Sequence, residues 1–164
     1  MGKMIRVSHE DPVFRSFMLF MQMAQAAYKY SDRRFYGVGV TTATFLALKG
    51  LIRKGGVMTH SELATWTNTE KHNITTLVNR MKRDGLVTSD YSTVDRRVAH
   101  ITVTEKGREV FDQVTPASWE IMGRVMQGIG LDKAAQLEKV LKVMKSNVEK
   151  ELSHRERTLN TKPE

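Results

Sequence analysis

At 164 residues the chain has room for one domain, or one small domain with helical extensions, because single hydrophobic cores commonly close at this size. Hydrophobic residues make up 40% and charged residues 27%, the balance of a folded protein rather than a disordered one. Lys and Arg number 26 against 18 Asp and Glu, a formal charge of +8 that makes polyanions attractive partners, and the lack of cysteine excludes disulfides, thiolate metal sites and thiol redox sensing.

Residues 1–10 are polar and read as flexible. Residues 11–30 run without Gly, with Phe14, Phe17, Met18, Met21, Ala24 and Tyr28 recurring at three- and four-residue steps and Leu19, Phe20 and Met23 widening the apolar surface. That spacing predicts a long helix, started by Asp11 as N-cap and Pro12 in the first turn. So wide an apolar surface needs more than one neighbour, and part of it is expected to meet another subunit. Arg15, Ser16, Gln22 and Gln25 interrupt the apolar run, and no cleavage pattern follows it, so the chain reads as cytoplasmic with no membrane partner.

Gly37 and Gly39 mark a loop, after which Thr41 or Thr42 caps a second helix carrying Phe45, Leu46, Leu48, Leu51 and Ile52, ended by Gly55-Gly56. Thr59-His60-Ser61-Glu62 has the form of a capping box and opens a short helix through Leu63, Ala64 and Trp66. Thr67-Asn68-Thr69 reads as a turn. Residues 71–84 read as the next helix, with Ile74, Leu77, Val78 and Met81 on one side and Gly85 as its stop. Two helices joined by so short a turn are a helix-turn-helix. Residues 86–90 and 98–103 predict a β-hairpin around a polar loop that is basic at its end. Thr104-Glu105-Lys106-Gly107 caps a helix carrying Val110, Phe111 and Val114 and disturbed at Pro116. Helical spacing resumes through Trp119, Met122 and Met126 and breaks at Gly128 and Gly130. A final helix is expected over about residues 131–152, with Leu137, Leu141, Met144, Val148 and Leu152 on one stripe, and residues 154–164 read as flexible.

Residues 40–111 resemble the multiple-antibiotic-resistance regulator (MarR) family of winged-helix repressors. The residues that carry the resemblance are Val40-Thr41, Ser61-Glu62-Leu63-Ala64, Ile74-Thr75, Leu77-Val78-Asn79-Arg80-Met81, Gly85-Leu86-Val87, Asp95-Arg96-Arg97 and Val103-Thr104-Glu105-Lys106-Gly107. Thr67 and Thr69 stand where the family usually has apolar turn residues, Thr44 replaces a frequent Gln, and Ser89 a frequent basic residue. The resemblance implies a mainly α fold with a small β-hairpin (α+β): a winged helix-turn-helix over 37–114, flanked by an N-terminal dimerisation helix over 11–36 and C-terminal dimerisation helices over 115–153. It also implies a homodimer on a palindromic operator, since recognition helices about one helical turn apart on a duplex place a twofold protein on a twofold site.

On that reading the recognition helix presents Lys71, His72, Asn73, Thr75 and Thr76 at its exposed N-terminal end, where short polar and cationic side chains reach base edges in the major groove, with Arg80 one turn on as a phosphate contact. Asp95 and Arg97, two residues apart in an extended segment, point the same way, so the carboxylate can hold the guanidinium for a narrow minor groove. The resemblance assigns them that role and leaves Arg96 to a phosphate. Between Lys71 and Arg108, eight Lys or Arg stand against four Asp or Glu.

His9, His60, His72, His100 and His154 show no i, i+4 pairing, so no metal site is expected. The sequence has no Gly-rich phosphate loop, no Ser-His-Asp grouping with recognisable spacing and no close pair of carboxylates inside an apolar context, and the chain reads as a non-enzyme without a cofactor. Family members lodge small aromatic or anionic effectors between dimer helices and winged lobe; Met18, Tyr28, Tyr36, Phe45 and Trp66 are candidates to line such a pocket, with ordinary core packing as the alternative. The function expected is a sequence-specific transcription regulator, most simply a repressor, with response to a ligand left open. The alternatives are an architectural or non-specific DNA binder, and a winged-helix protein-interaction module.

Overall fold

The computed structural model describes residues 10–91 and 99–160. The chain divides into two compact units, Met1–Val125 and Met126–Glu164. In the first, helix α1 (Pro12–Phe35) starts as the sequence signals: the Asp11 carboxylate accepts the Val13 N–H at 2.7 Å and Pro12 fills the first turn. It continues past the expected end near Tyr30, since no Gly or Pro intervenes before Gly37, and Arg33 and Arg34 offset the helix dipole in its last turn. A single 3-10 turn (Tyr36–Val38) leads to α2 (Thr42–Arg53), capped by Thr41, whose hydroxyl accepts the Thr44 N–H at 3.2 Å.

Strand β1 (Val57–Thr59) follows, and three residues are too few to show an alternating pattern, so the sequence reading had only a hairpin here. It adds a third strand: with β2 (Val87–Tyr91) and β3 (Ala99–Val103) it makes an antiparallel sheet in the order β1-β3-β2, with Met58 opposite Ile101 and Ser89 opposite Ile101 from the other side. Helix α3 (His60–Thr67) opens with the predicted capping box, and α4 (Lys71–Arg83) follows after Asn68, which takes a left-handed conformation at φ 51°. The polar turn satisfies itself: the Thr67 hydroxyl donates to the Leu63 carbonyl at 2.8 Å and the Thr69 hydroxyl to the Thr67 carbonyl at 3.2 Å. Threonines therefore serve where apolar residues were the expected pattern, at no cost in buried polar groups.

The main core is built by α2, α3, α4 and the sheet, with Leu48, Leu51, Leu63, Ile74, Met81 and Ile101 all completely buried. Truncating any one of them leaves a cavity and costs about 2–5 kcal/mol. A second cluster joins Phe35, Val40 and Phe45 to Val114 and Ile121, with the Phe45 and Phe111 rings stacked at 5.4 Å. This cluster explains a departure from expectation at Pro116. Helix α5 (Glu105–Val125) continues past the proline, because Val114 and Ile121 anchor both halves while Pro116 and Asp112, whose carbonyl loses its partner, face solvent.

The second unit contains α6 (Leu131–Asn160), which passes the expected end near Leu152 since neither Gly nor Pro occurs in it. Its last part occupies residues expected to be flexible. Lys142–Glu138 and Lys145–Glu149 ion pairs at i, i+4 support its surface, and Leu137, Val148 and Leu152 of the apolar stripe are exposed. Much of α1 is equally uncovered, including Phe17, Met18, Leu19, Met21 and Met23. Among the described residues no single helix is long and apolar enough to cross a membrane.

Candidate nucleic-acid interface

Helix α4 is sharply two-sided. Ile74, Leu77, Val78 and Met81 face the core, while His72, Asn73, Thr75 and Thr76 face outward from the first two turns. Lys71 is the first helical residue, after Glu70 at the N-cap, whose side chain makes no capping bond, and a helix N-terminus is the end where an anion is favoured. The Thr76 hydroxyl donates to the His72 carbonyl at 3.3 Å.

The C-terminal end of α4 is fastened from outside. Gly85, at φ 73°, turns the chain, the Lys106 ammonium donates to the Asp84 carbonyl at 2.7 Å, and the Thr104 hydroxyl donates to the Gly85 carbonyl at 2.7 Å. These bonds satisfy carbonyls that a helix end leaves open, and they fix α4 to the start of α5. Gly107 completes the joint: a Cβ built there would stand 2.2 Å from the Leu86 carbonyl oxygen. The Thr-Glu-Lys-Gly motif is thus a clasp between α4, hairpin and α5.

Strands β2 and β3 pair from Val87–Val103 out to Tyr91–Ala99. Asp95, Arg96 and Arg97, together with the expected first strand residue Val98, fall in the connection between them and lie outside the described residues.

Arg80 departs from its expected surroundings. Its guanidinium is half-buried and donates to the hydroxyls of Thr41 at 3.0 Å and Thr44 at 3.2 Å, at the start of α2. It also lines an open cleft of about 500 Å³ between α1, α2 and α4, together with Tyr28, Leu46, Asn73, Thr76 and Leu77. Burial, and next the Asp32 carboxylate, hold the Tyr28 hydroxyl above its ordinary value, with the Arg80 charge opposing them.

The five residues expected to line one effector pocket do not come together within this chain. Tyr28 lines the cleft; Phe45 is core; Trp66 lies on the α3 surface under Arg53, donating its indole N–H to the Leu46 carbonyl at 3.1 Å; Met18 and Tyr36 are exposed elsewhere. The cleft instead draws on Asn73, Thr76 and Arg80, which the sequence reading placed on the DNA side alone. Their spacing of three and four residues was the available signal, since it puts them on one stripe of α4. No group of His, Asp and Glu suited to a metal ion occurs among the described residues.

No protein-family model matches the chain. Among curated proteins it is similar to the HTH-type transcriptional repressor IacR of Pseudomonas putida, 29% identical over 99 residues that cover 60% of this chain and 59% of IacR. It is also similar to the transcriptional activatory protein BadR of Rhodopseudomonas palustris, 32% identical over 100 residues, 60% of this chain and 57% of BadR. The match thus spans less than two thirds of either relative. Among solved structures, a mutant MarR from E. coli complexed with operator DNA is 19% identical, with a TM-score of 0.75 over 84% of this chain and 99% of that one. Other MarR-family regulators superpose as well, with TM-scores up to 0.80. By sheet order, helix order and superposition alike, the chain has the winged-helix fold of the MarR regulators.

Proposed function

We propose that the chain is a MarR-family DNA-binding transcription regulator that works as a homodimer on a palindromic operator, most simply as a repressor. The observation that carries this is the two-sided α4: a helix locked by its apolar face into a helix-turn-helix and by its end into the hairpin, with His72, Asn73, Thr75 and Thr76 turned outward. A rigid helix presenting short polar side chains from its N-terminal turns is what base edges in a major groove require. Lys71 adds charge at the same end. Asp95, Arg96 and Arg97 supply the wing, with Arg97 entering the minor groove and Asp95 holding it.

The exposed apolar residues of α1 and of α6 favour dimerisation through those helices, since single chains rarely leave so much contiguous apolar surface to water. The cleft beside Tyr28 and Arg80 is a place for a small aromatic or anionic effector, which would bias the equilibrium between lobe arrangements that fit and do not fit the operator.

The test is fluorescence anisotropy over a salt series, with the duplex lying upstream of the chain's own coding region beside a scrambled duplex of equal length. A preference of roughly a thousandfold or more is the expected result. Equal, strongly salt-dependent binding would replace sequence reading by architectural binding, and no binding to either duplex would favour a protein-interaction module. Arg97→Ala is expected to weaken binding at A·T-rich flanks by about tenfold or more, and unchanged affinity would remove the wing from the interface.

A further inference from the structure

Arg80 is the outward-stripe residue whose surroundings least resemble a phosphate contact. Its Nη2 donates to two hydroxyls in the first turn of α2, Thr41 at 3.0 Å and Thr44 at 3.2 Å. Thr41 Oγ1 already accepts the Thr44 N–H, so with Arg80 its two lone pairs are occupied, and its own proton goes to Thr44 Oγ1, 3.0 Å away. The next residue, Thr42, donates its backbone N–H to the Asp32 carboxylate of α1 at 2.6 Å. One chain of charge-assisted and neutral hydrogen bonds thus runs from α4 through the capped start of α2 to α1. Thr44 is only 4% exposed, which keeps it from any phosphate.

We infer that Arg80 is a positioning residue: its guanidinium ties the recognition helix to the N-terminus of α2, and through it to α1, instead of contacting DNA phosphate. Both bonds come from Nη2, whose two N–H groups are fixed in the guanidinium plane, so one rigid planar group meets two acceptors of one helix turn; a Lys ammonium on a shorter, flexible stem does not hold that geometry. The tie acts on the last turn of α4, while the Lys106 and Thr104 clasp grips the carbonyls of Asp84 and Gly85 just beyond it, so the C-terminal part of the helix is held by two separate sets of bonds.

The consequence for DNA binding rests on the proposed function, so the experiment has one arm that needs no DNA. Hydrogen exchange of the α4 amides is measured in the free protein for wild type, Arg80→Gln, Arg80→Lys, Thr44→Val and the Arg80→Gln/Thr44→Val pair, with thermal melts to show that each is folded. Anisotropy with one duplex over a salt series is measured on the same set. The expected result is about tenfold faster α4 exchange and about tenfold weaker binding in Arg80→Gln and Thr44→Val, with the pair no worse than Arg80→Gln alone. Arg80→Lys does not rescue either readout, and the salt slope stays at its wild-type value. A salt slope reduced by about 0.9 in Arg80→Gln, with exchange unchanged and Thr44→Val silent, would overturn the inference and restore Arg80 as a phosphate contact. If wild type binds no duplex, the proposed function fails, while the exchange arm still decides whether the tie holds α4.

Discussion

Gly107→Ala is the sharpest test of how α4 is seated. The added methyl would stand 2.2 Å from the Leu86 carbonyl oxygen, 3.1 Å from its carbon and 2.9 Å from a Val103 methyl, where ordinary contact begins at 3.4 Å. Relief requires α5 to back away from the hairpin by about 1 Å, and the obstacle is backbone held by its own bond from the Thr104 N–H at 3.1 Å. Overpacking of this kind costs about 1–3 kcal/mol, more where backbone must yield, and Ala returns about 1 kcal/mol in helix propensity. The net expectation is a loss of about 2 kcal/mol, a fall of about 4–8 °C in Tm for a chain of this size. Urea and thermal unfolding at one fixed protein concentration measure it. Gly123→Ala, in the same helix but with nothing within 4 Å of the new methyl, is the control, expected to gain about 0.5–1 kcal/mol. Equal shifts in the two variants would refute the packing argument.

Gly50→Ala places a methyl 2.5 Å from the Trp66 ring, which is a partly exposed side chain and can swing out; in a Trp119→Phe background the Trp66 emission is expected to shift to the red, with about 1 kcal/mol of stability lost along with the bond to Leu46. An unshifted spectrum would show that the helices part instead. Glu62 is held below the ordinary carboxylate value of 4.5 chiefly by the Thr59 N–H, 2.8 Å from its carboxylate, and next by the Thr59 hydroxyl. A lowered folded value means that this stabilisation is full above pH 4.5 and is lost as pH falls through the folded value. Glu62→Gln keeps an acceptor without the charge, so its melting temperature should fall less steeply than that of wild type below that pH, and parallel curves would contradict the linkage.

What could be read directly from the residues was local. Asp11-Pro12, Thr41 and the Thr59–Glu62 box act on backbone groups two or three positions away, and each caps the helix it was expected to cap. The core face of α4 followed from its period in the same way. Features decided by distant neighbours were harder to read. Strand β1 exists because β3 offers it a partner, and Pro116 is tolerated because packing on both sides of it outweighs one missing hydrogen bond. The aromatic residues proposed for one pocket scatter because a cleft is made by the placement of helices rather than by residue type. Arg80 could be assigned to α4 from sequence, but its direction depends on where α2 lies.

The clasp of Lys106 and Thr104 on the end of α4 has a bearing on how such a protein changes over time. Because stability is supplied by the buried stripe and by bonds to backbone carbonyls, side chains such as His72 and Asn73 contribute little to holding the fold. They can be exchanged one at a time at a cost usually within about 0.5 kcal/mol. The chemistry of the outward face is therefore open to change through single substitutions, each leaving a folded chain, while changes in the Thr-Glu-Lys-Gly segment are held in check by the backbone they grip.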